Sequence, residues 1–302
     1  MISFEEFQTL ATKYNVIPFE RTLLADMLTP VSTYLTLRKL NVTSFLLESV
    51  EPNEKLGRFS FVGVCPRLLL RSRSGTVTVT QQNQTRTESG NVFEVLQQLS
   101  AQFQQAPTSP HSGFTGGFVG YIGYDCVKYV EHLNLPEAIS DEEDDAMLGL
   151  FDTVIQFDHR NQLVTIVCNA IIENEKPFKR QYEEARKRLE ALELRLKNIA
   201  VGTSNFVSNT SINHMGEDEE QFRKSVLRAK EYIIEGDIFQ VVLSRKAQLE
   251  FSGDPFPVYR ALRIINPSPY LFYLDFGETK LIGSSPEVLV RSMNGTVELF
   301  PI

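Results

Sequence analysis

Read as a string of apolar and polar positions, the first part of the chain is dominated by short runs of period two, the pattern of strands with one buried face. SGTVTVT (74–80) alternates cleanly. FLLESV (45–50), the polar EPNEKLGR (51–58) and FSFVGVCPRLLL (59–70) predict strand, turn and strand, rich in Phe, Val and Leu and bounded by Pro, Asn and Gly. LFDTVIQFDHRNQLVTIVCNA (150–170) predicts a hairpin about DHRNQ. Helical spacing replaces alternation in VFEVLQQLSAQF (92–103), where Val92, Leu96, Leu99 and Phe103 recur at three or four residues. It returns over 176–200, where Tyr182, Ala185, Leu189, Leu192, Leu196 and Ile199 form one stripe suited to packing on a sheet.

The pattern then breaks. AVGTSNFVSNTSINHMG (200–216) is rich in Ser, Thr and Asn with little to bury, which marks a linker over 201–216. Beyond it, acids at 217–220 open a helix that Gly236 closes, as the helix dipole and the C-cap preference for glycine require. FQVVLSRKAQLEF (239–251) and YLFYLDFGETKLIGSS (270–285) predict strands of this second unit. The expectation is an α+β fold, sheet-rich and mainly antiparallel, with helices packed on the sheets. Its division is a first domain over 1–200 and a second over 217–302 that is incomplete. The closing NGTVELFPI (294–302) carries a hairpin signal at Asn294-Gly295 and apolar Val297, Leu299 and Ile302, with nothing polar to close it. Such an end predicts that the polypeptide continues in the complete protein.

Composition narrows the class of partner. With 302 residues, 42% of them hydrophobic, a large core can form. A formal charge of −8 without a basic block argues against nucleic acid or an anionic membrane surface and toward small molecules or proteins. The opening MISFEEFQTLATK has acids where a secretory signal needs a basic start, and no stretch reaches the length of a membrane span, so a cytoplasmic location is expected. Cys65, Cys126 and Cys168 are odd in number and lack C-x-x-C spacing, which predicts buried free thiols. His111, His132, His159 and His214 are scattered and predict loop or surface roles.

Candidate chemistry lies in three places. GGFVGYIGYD (116–125) lacks the Lys-Ser/Thr of a phosphate loop, and its glycines fit a strand crossed closely by another backbone or ring. Gln240 sits in an apolar run, a costly place for an amide without a ligand or backbone partner. Glu287 follows Ser-Ser-Pro at a strand mouth, where a raised pKa would make it a general acid. Taken singly, a satisfied core amide and a solvated loop carboxylate are the better readings of the last two.

Taken together and in order, FLLESVE with GRFSFVG, GGFVGYIGYD, GDIFQVVLSR, NPSPYLFYL and GSSPEVLVR closely resemble the large subunits of anthranilate synthases, within the chorismate-utilising enzymes. The resemblance covers 45–302. It implies a reaction in which ammonia from a glutaminase subunit adds to chorismate at C2 with loss of the C4 hydroxyl, after which pyruvate is eliminated. It implies Glu287 as the acid that protonates the departing hydroxyl. Where family members that add water carry a lysine, this chain has Gln240, which suits a nucleophile that arrives competent as ammonia. The resemblance also implies Mg2+ held by glutamates that lie beyond Ile302, with a chorismate-binding Gly-Thr segment and a catalytic histidine there too. The metal has no ligand in these 302 residues on this reading.

A second site is implied as well. Feedback-inhibited members bind tryptophan between an LLES segment and an NPSPY-M-F segment, matched by Glu48 and Ser49 and by Pro269, Tyr270 and Leu271. Ser49 would meet the zwitterionic head, and the second segment would supply apolar surface for the indole. Leu271 stands where methionine is commoner. The implied assembly is a hetero-oligomer with the glutaminase. Two alternatives stay open. An aminodeoxychorismate synthase differs by a lysine instead of alanine immediately after Pro-Ile, and a stand-alone tryptophan-binding or subunit-docking module would lack catalysis altogether.

Overall fold

The computed structural model describes residues 1–38, 42–49, 57–82, 84–108, 113–132, 143–199, 205–208, 214–215, 219–293 and 295–299. In chain order the first elements are α1 (Phe4–Ala11), β1 (Val16–Leu24), α2 (Pro30–Leu37), β2 (Ser44–Glu48), β3 (Phe59–Val64), β4 (Leu68–Arg73), β5 (Thr76–Gln81), β6 (Gln84–Ser89) and α3 (Val92–Ser100). Then come β7 (Gly117–Ile122), a 3-10 turn (Tyr124–Tyr129), β8 (Ala146–Phe151), β9 (Thr153–Asp158), β10 (Leu163–Ile171) and α4 (Phe178–Lys197). The remainder comprises β11 (Phe206–Ser208), β12 (His214–Met215), α5 (Glu219–Glu235), β13 (Ala247–Gln248), β14 (Phe251–Gly253) and α6 (Phe256–Ile265). It closes with β15 (Tyr270–Asp275), β16 (Lys280–Ser285), β17 (Val290–Met293) and β18 (Thr296–Leu299). Helix at 30% and strand at 36%, with every strand pair named in these sheets antiparallel, make the fold α+β as expected.

Two sheets face each other. One has seven strands in the order β1-β10-β9-β3-β2-β15-β16, the other five in the order β6-β5-β4-β8-β7. Side-chain alternation along each strand sends one set of residues between the sheets and the other outward to helices. Phe45, Leu47, Phe61, Phe114, Phe151, Phe272 and Leu274 meet in the inter-sheet cluster. Leu46, Val62, Ile155, Leu271 and Tyr273 instead pack with Phe7 of α1, Tyr34 of α2, Leu189 of α4 and Tyr259 of α6. Covered on both faces, β9 is buried at every position. Helix α3 covers the outer face of the five-stranded sheet through Val92, Val95 and Leu99.

Local chemistry sets the boundaries. Thr29 and Ser32 form a reciprocal capping box ahead of α2, with Pro30 in its first turn. The stripe predicted over 176–200 is the buried face of α4. Gln181 joins that face because its amide bonds the backbone of Glu173 and Lys176 at distances of 2.7 to 3.0 Å. Gly236 follows α5 with φ of 83°, the left-handed C-cap that glycine takes without steric cost. The hairpin predicted about DHRNQ forms between β9 and β10. The one at Gly295 forms between β17 and β18, while Asn294 and residues 300–302 lie outside the described residues, as do His111 and most of 201–216.

The structure corrects four expectations. FSFVGVCPRLLL is two strands in different sheets, because the backbone turns at Cys65, which has φ of 56°, and Pro66 cannot donate to a ladder. Cys65 at that corner is exposed rather than buried; Cys126 and Cys168 are buried, and all three are free. FQVVLSRKAQLEF is irregular over 239–246, since an apolar run becomes a strand only beside a partner and none pairs with it among the described residues. YLFYLDFGETKLIGSS does form strands, but β15 and β16 extend the seven-stranded sheet through β2 instead of building a sheet of their own. Ahead of β8, Asp144 pairs with Arg71 and Arg73, and Asp145 accepts from Ser74 N, Tyr129 Oη and Lys128 Nζ.

Candidate functional site

The two segments singled out as a ligand site lie side by side. In the antiparallel pairing of β2 with β15, Leu271 faces Glu48 and Phe272 faces Leu47. Pro269 and Leu271 are buried, Tyr270 is half-buried opposite Ser285, and Ser49 directly follows the last residue of β2. The inter-sheet side of this pair is the apolar cluster of Phe45, Leu47, Phe272 and Leu274, which also holds Phe114 and Phe276. The glycines of GGFVGYIGYD serve that packing. A Cβ on Gly120 would lie 1.9 Å from Met147 O, so β7 and β8 approach closely, as the sequence predicts.

The opposite side of the pair is polar at one point. The Glu48 carboxylate, 1% exposed, accepts a 2.6 Å hydrogen bond from Tyr259 Oη and lies 3.2 Å from Arg263 Nε, both on α6. Burial, and then the Glu48 charge, push the Tyr259 phenol far above its usual pKa, so it remains a proton donor at any working pH. Tyr34, Phe256, Tyr259 and Tyr273 surround it with ring centroids 5.1 to 5.9 Å apart. Arg38 sits over Phe256 at 4.8 Å and pairs with Asp254, whose Oδ1 caps Phe256 N at 3.1 Å. Sequence reasoning missed Tyr259 and Arg263, although their spacing of four on one helix face was readable. It also missed Ser268, a buried hydroxyl between two prolines that has no partner among the described residues.

The proposed catalytic pair is placed differently. Gln240 is exposed in the irregular stretch after α5, not in a strand. Glu287 is exposed in the turn after β16, where its carbonyl accepts a 3.2 Å bond from Ser285 Oγ. No described contact joins the two. Nor do three His, Cys, Asp or Glu converge among the described residues as a metal site would need, so these residues do not by themselves fit magnesium. No helix is long and apolar enough to cross a membrane.

The fold is a sandwich of antiparallel sheets in which the distant segments 44–48 and 271–275 pair side by side. Residues 43–302 match the model of the chorismate binding enzymes, and the chain belongs to that family. Among its relatives, the anthranilate synthase component 1 of Acetivibrio thermocellus is 38% identical over 99% of this chain and 62% of its own length. That of Aquifex aeolicus is 34% identical over 100% and 61%. The chain thus spans about three-fifths of the length of these relatives. The crystal structure of anthranilate synthase component I from Streptococcus pneumoniae matches with a TM-score of 0.56 at 26% identity, covering 91% of this chain and 59% of that one. The menaquinone-specific isochorismate synthase of Escherichia coli, at 14% identity and a TM-score of 0.54 over 95% and 55%, shares the fold.

Proposed function

We propose that these residues form part of an anthranilate synthase large subunit, which converts chorismate and ammonia to anthranilate and pyruvate in tryptophan biosynthesis. The observation that carries the reading is the β2–β15 register, which unites two segments that resemble the inhibitor site of that enzyme. The names of the relatives support the reaction class. In this proposal Glu287 protonates the leaving hydroxyl, and Gln240 lies beside an incoming ammonia that needs no base. Ser49, Pro269, Tyr270 and the backbone of Leu271 receive tryptophan as a feedback inhibitor, while the Leu271 side chain, like Glu48, turns to the helical layer. Residues 201–216 link a first domain to a catalytic domain that these 302 residues contain only in part. The exposed apolar surface of α5 and of 239–243 suits contact with the rest of that domain. A glutaminase subunit supplies ammonia, making a cytoplasmic hetero-oligomer.

The test is product identity. The whole protein is incubated with chorismate, an ammonium salt and Mg2+, and the products are separated and identified. Anthranilate with equimolar pyruvate, suppressed by added tryptophan, is expected. Accumulation of aminodeoxychorismate without pyruvate would assign the protein to the other amine-forming branch. The 302-residue chain alone is expected to form neither. Gln240→Lys in the whole protein should lose amination and gain water addition, because lysine supplies the base that an amide cannot.

A further inference from the structure

We infer that Glu48 is a positioning residue that couples the regulatory site to helix α6, and that it is not itself a ligand group. The inference rests on the reading of the β2–β15 segments as a tryptophan site. Alternation sends Leu47 and Phe272 to the inter-sheet cluster and Leu46, Leu271 and Tyr273 to the helical layer. Glu48 belongs to the second set. Its carboxylate is closed off from solvent and already engaged by Tyr259 Oη at 2.6 Å and Arg263 Nε at 3.2 Å. A ligand on the inter-sheet side would therefore reach Ser49 and Leu47 but meet the back of Glu48.

What that carboxylate does hold is α6. The helix has one anchor at its start, where Asp254 caps Phe256 and pairs with Arg38 beyond α2. The second anchor is Glu48, on the strand pair itself. Breaking it leaves a buried charge without its partners, so strand and helix move together. At its end α6 runs directly into Pro267–Tyr270, and Ser284 Oγ of β16 bonds Asn266 O at 2.7 Å. At its start it continues from β14 and from the stretch that carries Gln240. Ligand-driven adjustment of β2 and β15 is thus passed through Glu48 to α6, and from there to the catalytic unit. This gives the two sites one shared element whose position both can bias.

The test combines amide hydrogen exchange over 256–265 with equilibrium dialysis of tryptophan, on the full chain and its Tyr259→Phe, Arg263→Gln and Glu48→Gln variants. In the parent chain, saturating tryptophan should change α6 exchange. In the variants, ligand-free α6 should exchange roughly tenfold faster, through loss of the Tyr259 hydrogen bond or of the Arg263 ion pair to Glu48. They should bind tryptophan within about threefold of the parent yet show no ligand-dependent change in α6, since the coupling and not the contact is removed. Loss of binding in Glu48→Gln alone, with Tyr259→Phe and Arg263→Gln unaffected, would make Glu48 a ligand group and overturn the inference. So would a ligand response of α6 that survives in all three. If the parent binds no tryptophan, the regulatory reading fails; the tether then stands on faster ligand-free exchange in the variants and falls if exchange is unchanged.

Discussion

The sandwich and the open stretches 219–253 and 286–299 obey the same local rules and reach opposite ends. In α4 the apolar stripe is buried against β10 and β1, while α5, also amphipathic and longer than four turns, has no buried residue. Every position of β9 is buried, whereas β13, β14, β17 and β18 are exposed throughout. Phe19 is fully buried beside Phe7 and Tyr182, and Phe239 is 97% exposed. The difference is not in propensity but in partners. A stripe or a strand becomes stabilising only when another surface removes it from water. Substitutions in the sandwich should therefore act on folding, and those in the open region on chemistry.

The largest contrast should come from Glu287 in the whole protein. Glu287→Gln is expected to lower turnover by roughly 10² to 10⁴, the usual worth of a general acid, with little change in chorismate affinity or in the denaturation midpoint. Steady-state kinetics beside a urea titration checks both halves; near-normal turnover returns Glu287 to a solvated carboxylate. Next in size, Phe19→Ala in the sandwich should cost about 3 to 5 kcal/mol by leaving a cavity. Leu227→Ala on the exposed face of α5 should stay within about 0.5 kcal/mol in the 302-residue chain. Equal costs would erase the distinction between the regions. Gly120→Ala forces β7 away from the Met147 carbonyl and should cost about 1 to 3 kcal/mol, read from the same titration.

The smallest effect is electrostatic and confined to the sandwich. Burial alone would raise the Asp158 pKa, but hydrogen bonds from Arg58 and Asn161 outweigh it and hold the carboxyl below its usual value. A depressed carboxyl stabilises the fold fully above its unfolded pKa, and that contribution is lost as pH falls through the folded value. Denaturation midpoints measured from pH 5 downward should fall more steeply for the parent than for Arg58→Gln. Parallel curves would show that the pair contributes nothing.

Much of the sandwich could be read from the chain because period and turn chemistry are local properties. The β9–β10 hairpin, the α4 stripe and the glycine-rich β7 are set by residues within a few positions of one another. The corner at Cys65 was missed because a sheet change is a global event that leaves an apolar run looking continuous. The irregular course of 239–246 was missed for the converse reason: its residues have strand character, and only a neighbour decides whether they pair. At the candidate site, the motifs named Glu48, Ser49 and Pro269 to Leu271, and their adjacency is evident in the register. Which face each side chain takes was not legible, so the Tyr259 and Arg263 contacts to Glu48 emerged only from the fold.

In the proposed function, the packed part of this chain holds a regulatory tryptophan site. The chain has no tryptophan of its own, so bound ligand would be the only indole present. Titrating tryptophan with the chain, excited where tyrosine absorbs little, is predicted to give a saturable blue shift as apolar side chains replace water. Ser49→Ala should weaken the binding by about 1 to 3 kcal/mol through loss of a hydrogen bond to a charged group. An indole spectrum that stays at its value in water throughout the titration, for parent and variant alike, would contradict a tryptophan site between Ser49 and Tyr270.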